Sequence, residues 1–365
     1  MVYILVKKKP FQKKQHKFVV FIPAYKEDNV IYSVAFEALK QNYPKDLFEI
    51  IVIADSLQQK TIDKLSLLPI TIKKVSFKNS TKAKALNKTM EDLPCSLYDV
   101  AIILDADNII DSNFIQKIND SFNSGYSIVQ GHRTAKNIEG FAMLDAISEE
   151  INNHILSKGQ RVIGLSSRLV GSGMAINYEL YKNTMKSIDS IAEDKELELK
   201  LLKLGYEFEY RNDAVCYDEK VTSVRVFNNQ RTRWISAQFH YLKKNFFIAF
   251  WRLITEGNKD YFNKAFQMML PPRLILLGFL FLIVIVAFFI SPNIYFYSWL
   301  ALFFTYIVSC AISIPRKFYS KQMVRSIIYL PRAFFGVLIS LFKTKNTNKN
   351  FIHTPHNNIK TNNES

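Results

Sequence analysis

Residues 274–315 carry no charged side chain. So long an apolar stretch must be kept from water, by lipid or by a protein core. It breaks at Ser291-Pro292-Asn293 into two runs, 274–290 and 294–314, each about the length of a membrane span. Basic residues crowd both outer flanks and the short connection has none, so the excess of Lys and Arg puts both flanks in the cytoplasm. A buried hairpin in a soluble protein is the competing reading. The segment 324–342 is also apolar, but Arg325, Pro331 and Arg332 argue for an interfacial or re-entrant helix over 315–343. Within 239–254, Phe239, Leu242, Phe246, Phe250 and Leu253 form a stripe opposite Lys243 and Lys244, which reads as a helix lying on the membrane or as ordinary core packing.

The formal charge of +16 is unevenly spread. Residues 1–17 hold six lysines and no acid, 225–273 are net +7 and 316–365 net +8, which leaves about −5 for residues 18–224. A nucleic-acid binder would carry its basic patch on the folded domain. Here the positive charge flanks the apolar segments, so anionic lipid is the expected partner and nucleic acid is not. Three scattered cysteines supply neither a disulfide framework nor a zinc site. The first six residues are too short, and wrongly flanked, for a signal peptide.

Upstream, short apolar runs at 18–23, 48–54, 70–77, 100–104 and 126–130 read as strands. Helical spacing lies over 29–41, 81–92, 111–122, 140–157 and 193–204. This alternation predicts an α/β, Rossmann-like, mostly parallel sheet with helices on both faces, followed by C-terminal transmembrane and interfacial helices. The expected division is a basic segment 1–17, a catalytic domain 18–235, an amphipathic region 236–273, two spans within 274–314, an interfacial helix 315–343 and a flexible tail 344–365. His353 and His356 fall in that tail.

The strand at 100–104 ends in Asp105-Ala106-Asp107. Two carboxylates beyond a strand's C-terminal end suit Mg²⁺ or Mn²⁺ bound with a diphosphate, although a helix N-cap would also use an aspartate there. Asp55 ends the second strand, as a ligand for a base or ribose or as a turn residue. Pro23-Ala24-Tyr25-Lys26-Glu27-Asp28 follows the first strand without a glycine-rich turn, so a dinucleotide fingerprint is missing. Lys82 and Lys84 open a helix, where cations oppose the dipole unless an anion is near. Gly171-Ser172-Gly173 leaves room for a ligand to approach the backbone. Glu193 and Asp194 open the next helix, where capping alone would explain them. Gln230-Arg231-Thr232-Arg233-Trp234 offers a guanidinium fork for phosphate and a flat ring for a sugar, or an anchor at a membrane interface.

In this order and spacing, PAYKED, IVIAD, KAKALN, DAD, GSGMA, ED and QRTRW resemble family 2 glycosyltransferases of the GT-A fold. The last motif resembles the Gln-x-x-Arg-Trp mark of the membrane-embedded branch, which includes cellulose, chitin and hyaluronan synthases and ceramide glucosyltransferase. The resemblance implies that Pro23, Ala24, Tyr25, Glu27, Asp55, Lys84, Asp105, Gln230 and Arg233 bind the nucleotide-sugar donor and that Asp107 holds Mg²⁺ or Mn²⁺. It implies Asp194 as the catalytic base, with Gly171, Ser172, Gly173, Glu193 and Trp234 on the acceptor side. A single base behind the anomeric carbon implies inversion. The expected protein is thus an integral membrane enzyme with a cytoplasmic catalytic domain, moving a sugar from a nucleotide sugar, UDP-linked by expectation, to a glycan or lipid-linked acceptor. Two spans are too few to enclose a polymer channel, so a processive synthase would need an export partner or a homo-oligomer. A non-catalytic subunit of a glycan synthase complex is the remaining alternative.

Overall fold

The computed structural model describes residues 14–136, 138–220, 224–290 and 292–342. The basic segment up to residue 13 and the tail with His353 and His356 lie outside the described residues. Among the described residues, eight strands form one sheet: β1 Phe18–Tyr25, β2 Phe48–Asp55, β3 Thr71–Val75, β4 Val100–Ile103, β5 Ile109–Ile110, β6 Ile128–Ala135, β7 Met174–Asn177 and β8 Glu209–Asp218. Their spatial order is β3-β2-β1-β4-β7-β6-β8-β5.

The continuous apolar runs become strands because both faces of the sheet are covered. Val19, Phe21, Ile51, Ile53, Ala101 and Ile103 point to one face, against the helices Lys82–Glu91, Tyr178–Met185 and Glu193–Lys203. Phe18, Val20, Ile22, Ile50, Val52, Val100 and Ile102 point to the other, against Ile31–Ala38 and Phe114–Asn123. Each such large side chain removed from water contributes about 1.5–3 kcal/mol, which fixes the register of the strands that end at the site.

Four of the seven strand pairings are parallel and three antiparallel. The sheet is therefore mixed, with β7 antiparallel to both β4 and β6. Strand order reverses at β1, which has β2 on one side and β4 on the other. Ligands of open α/β sheets bind beyond the strand ends at such a reversal. Because β7 runs against β4, its first residue Met174 pairs with Ile103, and the Gly171–Gly173 loop comes to lie beside Asp105. A helix Gln59–Leu65, the helix Tyr178–Met185 and β8 were not expected from the sequence.

Beyond the sheet, one helix runs from Val224 to Glu256, passing without a break through the expected boundary at 235. Leu242 and Phe246 of the expected stripe pack against the main core, while Phe239 and Phe250 stay exposed. Another face of the same helix presents Phe247, Trp251 and Ile254, all more than half exposed. The stripe is thus partly core packing, and a separate outer face is left apolar. Arg273–Ile290, Asn293–Ile312 and Lys321–Leu341 are each long and apolar enough to cross a membrane by length and composition. The third is built from Lys321–Ser326, a 3₁₀ turn Ile327–Tyr329 and Leu330–Phe342. Together these apolar helices give the chain the means to associate with a membrane.

Candidate functional site

At the tip of β1, Ala24 is buried, Tyr25 half-buried and the Glu27 side chain buried. The Glu27 carbonyl accepts from the backbone N–H groups of Val30 and Ile31 at 3.2 and 3.1 Å, starting the following helix. Lys26 and Ser56, just past β1 and β2, have φ of 57° and 58°, a left-handed backbone that side-chain-bearing residues rarely adopt. The Lys26 N–H donates to the Asp55 carbonyl at 3.1 Å and ties the two tips together. Asp55 is 1% exposed; its Oδ1 accepts from Ser56 Oγ at 3.0 Å, but its Oδ2 is buried with no hydrogen-bond partner among the described residues. An orphaned buried carboxylate oxygen is costly, and a donor group on a ligand would relieve it.

Asp105, Glu193 and Asp194 meet around Lys82. The Lys82 ammonium donates to Asp105 Oδ1 at 2.5 Å and to the Gly171 carbonyl at 2.7 Å, and lies 3.8 Å from Glu193 Oε1. Burial alone would push this ammonium down, but Asp105, Glu193 and Asp194 outweigh it and hold the pKa above the usual value. Asp194 packs on Gly171: a Cβ at Gly171 would lie 3.2 Å from Asp194 Cβ, and the glycine's φ of +80° independently disfavours a side chain. Gly173, at φ +62°, is pressed against Cys216, whose Cβ would lie 2.9 Å from an added methyl.

Lys84, expected at the donor, is not brought to this cluster; Lys82 is. Two residues apart on a helix, the two lysines face opposite flanks. Lys84 donates to the Asn79 carbonyl at 3.3 Å and faces Asp189 at 4.0 Å. Ser172, grouped with the acceptor by resemblance, is fully buried. Its hydroxyl accepts from the Asp105 N–H at 3.0 Å and donates to Asn108 Oδ1, so it braces the Asp-Ala-Asp turn from within.

Asp107 is 5% exposed. Its Oδ1 accepts from Asn108 Nδ2 at 3.2 Å, its Oδ2 from the Glu219 N–H at 3.4 Å, and its carbonyl from the Lys136 ammonium. Glu219 Oε2 is buried without a hydrogen-bond partner among the described residues. No group of three His, Cys, Asp or Glu side chains that could hold a metal occurs among the described residues. Asp105 and Asp107 offer carboxylate oxygens, the donor type that Mg²⁺ and Mn²⁺ prefer.

The Gln230–Trp234 run lies on the long Val224–Glu256 helix. Gln230 Oε1 is buried without a partner among the described residues. Arg231 pairs with Asp145 at 2.5 Å and lies 4.5 Å over the Trp234 ring, and Thr232 donates to Ser340 Oγ at 2.9 Å. Burial lowers the Arg233 pKa. A buried ionic network braces the floor: Glu149 accepts from Arg133 at 2.7 Å and from Lys220, and Asp218 faces the same two cations at 3.4 and 2.8 Å. Sequence reasoning gave Lys82 no place in the site beyond opening its helix, and missed Lys136, Glu219 and this network. Only Lys82 had a local signal, as the first residue of the helix.

Burial pushes the Glu193 carboxyl up, Lys82 opposes it, and Asp194 and Asp105 push further, for a pKa of about 7 against an ordinary 4.5. Between these values the folded state binds more protons than the unfolded one. The stabilisation is therefore complete below pH 4.5 and is lost as pH rises through 7. Melting temperature is expected to fall more between pH 5 and pH 8 in the wild type than in Glu193→Gln. Equal falls by scanning fluorimetry would refute this.

The model of a family described as "Glycosyltransferase like family 2" matches residues 16–237. A probable glycosyltransferase of Bacillus subtilis is 24% identical over 259 residues, covering 66% of this chain and 59% of its own length. The chain therefore spans less than two thirds of that curated relative. Among solved structures, a mannosyltransferase from Pyrobaculum calidifontis in complex with GDP-Man and Mn²⁺ superposes with a TM-score of 0.51 at 15% identity, over 93% of this chain and 92% of that one. That likeness extends to the fold.

Proposed function

The chain belongs to the glycosyltransferase-like family 2, and from that premise we propose that it is a membrane-anchored, inverting glycosyltransferase of the Gln-x-x-Arg-Trp branch, using a nucleotide sugar with Mg²⁺ or Mn²⁺. The observation that carries this reading is Lys82, whose one ammonium reaches both Asp105, beyond the β4 tip, and Glu193, beside Asp194. One cation between these side chains supports a donor-side and an acceptor-side carboxylate standing close together, as in-line displacement requires.

In this reading Asp55 takes a donor group of the nucleoside through its orphaned oxygen, and Asp105 faces the ribose and diphosphate. A divalent ion held at Asp107 would supply positive charge to the departing diphosphate. Asp194 accepts the proton of the attacking hydroxyl, which must come within hydrogen-bond reach of it. Glu193, whose carboxyl burial pushes up to about 7, limits the negative charge beside the base when it holds its proton. Gln230, Arg233 and Trp234 close over the diphosphate and the acceptor. The domain lies on the cytoplasmic face, with membrane lipid around the apolar helices, and the acceptor is a glycan or lipid-linked sugar.

A panel of UDP-sugars, extended to GDP-mannose because the Pyrobaculum structure holds it, tests the activity. Full-length protein in detergent with Mn²⁺ should release nucleoside diphosphate from one donor at least tenfold faster than from the others, and EDTA should suppress the release. No release from any donor would contradict the proposal.

A further inference from the structure

A second concave site lies on the far side of the Lys82–Glu91 helix. It is a cavity of about 360 Å³ lined by Lys84 and Lys88 from that helix and by Lys182 and Lys186 from the end of Tyr178–Met185. Each pair is spaced i, i+4, so like charges sit one above the other on each helix, an arrangement that costs free energy unless anions compensate it. The protein compensates part of this charge: Glu91 and Asp189 also line the cavity, Glu91 pairing with Lys88 at 2.7 Å and Asp189 standing 4.0 Å from Lys84, and Asp92 adds to the field at Lys88. The hydrogen bonds of Lys182 and Lys186 among the described residues go to neutral oxygens, the Leu93 carbonyl at 2.5 Å and Asn183 Oδ1 at 3.2 Å.

Asn87, which also lines the cavity, ties the Lys82–Glu91 helix to the segment after Tyr178–Met185, its Nδ2 donating to the Met185 and Ile188 carbonyls at 2.9 and 3.2 Å. Phe77, Met90 and Ile188 add apolar surface of the kind that packs on the C–H face of a sugar. Ammonium groups beside an apolar wall describe a ligand that is phosphorylated and partly apolar.

The cavity is linked to the reaction site through the chain: Asp189, which lines it, stands a few residues before Glu193 and Asp194, and the helix that sets Lys82 beside Asp105 sets Lys84 in the cavity wall. We propose that this cavity binds the phosphate-bearing part of the acceptor glycan, holding it while its hydroxyl reaches Asp194. This deepens the transferase reading and rests on it.

The test uses full-length protein in detergent and two fluorescent probes, maltohexaose 6-phosphate and unphosphorylated maltohexaose, read by anisotropy. The phosphorylated probe should bind at least tenfold more tightly, and weaken as salt is raised. The double variant Lys88→Gln/Lys186→Gln, at two exposed positions, should lose about tenfold in affinity for it while binding of UDP with Mn²⁺ stays unchanged. Equal binding of the two probes, or no effect of the double variant, would overturn the cavity assignment and leave the transferase reading standing. Displacement of the phosphorylated probe by phosphatidylglycerol vesicles but not by phosphatidylcholine vesicles would make it a lipid-headgroup site and overturn the acceptor assignment. Probe binding retained by a protein inert toward the whole donor panel would overturn it too, through failure of the underlying activity.

Discussion

Asp194→Asn is expected to lower acceptor-dependent transfer by about 10²–10⁴-fold, the range typical of losing a general base. The substitution keeps shape and removes the charge that accepts the proton. Asp194 packs against Gly171, so an isosteric amide fits where a larger side chain would not. Donor binding should be nearly unchanged, because Asp105, Asp107 and Asp55 remain. In a steady-state assay the loss therefore falls on kcat, with the donor KM close to wild type. A variant with wild-type kcat would remove Asp194 from the mechanism.

Asp107→Asn is expected to lose about 10³-fold or more, and to lose it differently. An amide is a poorer ligand for a hard divalent ion than a carboxylate, so donor affinity should fall together with kcat. Raising Mn²⁺ should recover part of the activity in this variant and none in Asp194→Asn. Both Asp107 oxygens accept, from Asn108 Nδ2 at 3.2 Å and the Glu219 N–H at 3.4 Å, so the amide keeps one of these contacts and loses the other, and the melting temperature of the variant is measured beside its activity. Unchanged donor affinity in Asp107→Asn would contradict the assignment.

The central strands were legible because both faces of the sheet are dry, which turns their sequences into unbroken apolar runs such as 18–22 and 50–54. The carboxylates Asp55, Asp105 and Asp107 were legible for the same reason, since each stands where such a run stops. β8 was not, because Arg211, Asn212 and Asp213 interrupt its apolar positions, and its pairing with β6 and β5 makes it a strand. The antiparallel entry of β7 could not be read either. Strand direction is set by the path of the long connection from β6, and nothing local encodes it.

In the site, the sequence pointed to Lys84 and the structure sets Lys82, not Lys84, beside Asp105. The motif contains both lysines, and only the helix's rotation on the sheet decides which of them meets the carboxylates. Ser172 looked like a ligand contact because flexible loops often make them, yet full burial turned it into a brace. Lys220 and Glu149 are 71 residues apart, and no periodicity links them. Pairings of that kind follow from tertiary packing and carry no local signature.

The central claim is a division of labour, with Asp107 serving the donor and Asp194 the acceptor. Calorimetric titration of UDP, in the presence of Mn²⁺, into the wild type, Asp107→Asn and Asp194→Asn tests it most directly. The account predicts at least a tenfold loss of affinity in Asp107→Asn and wild-type affinity in Asp194→Asn; equal affinity in all three proteins, or a loss confined to Asp194→Asn, would contradict it.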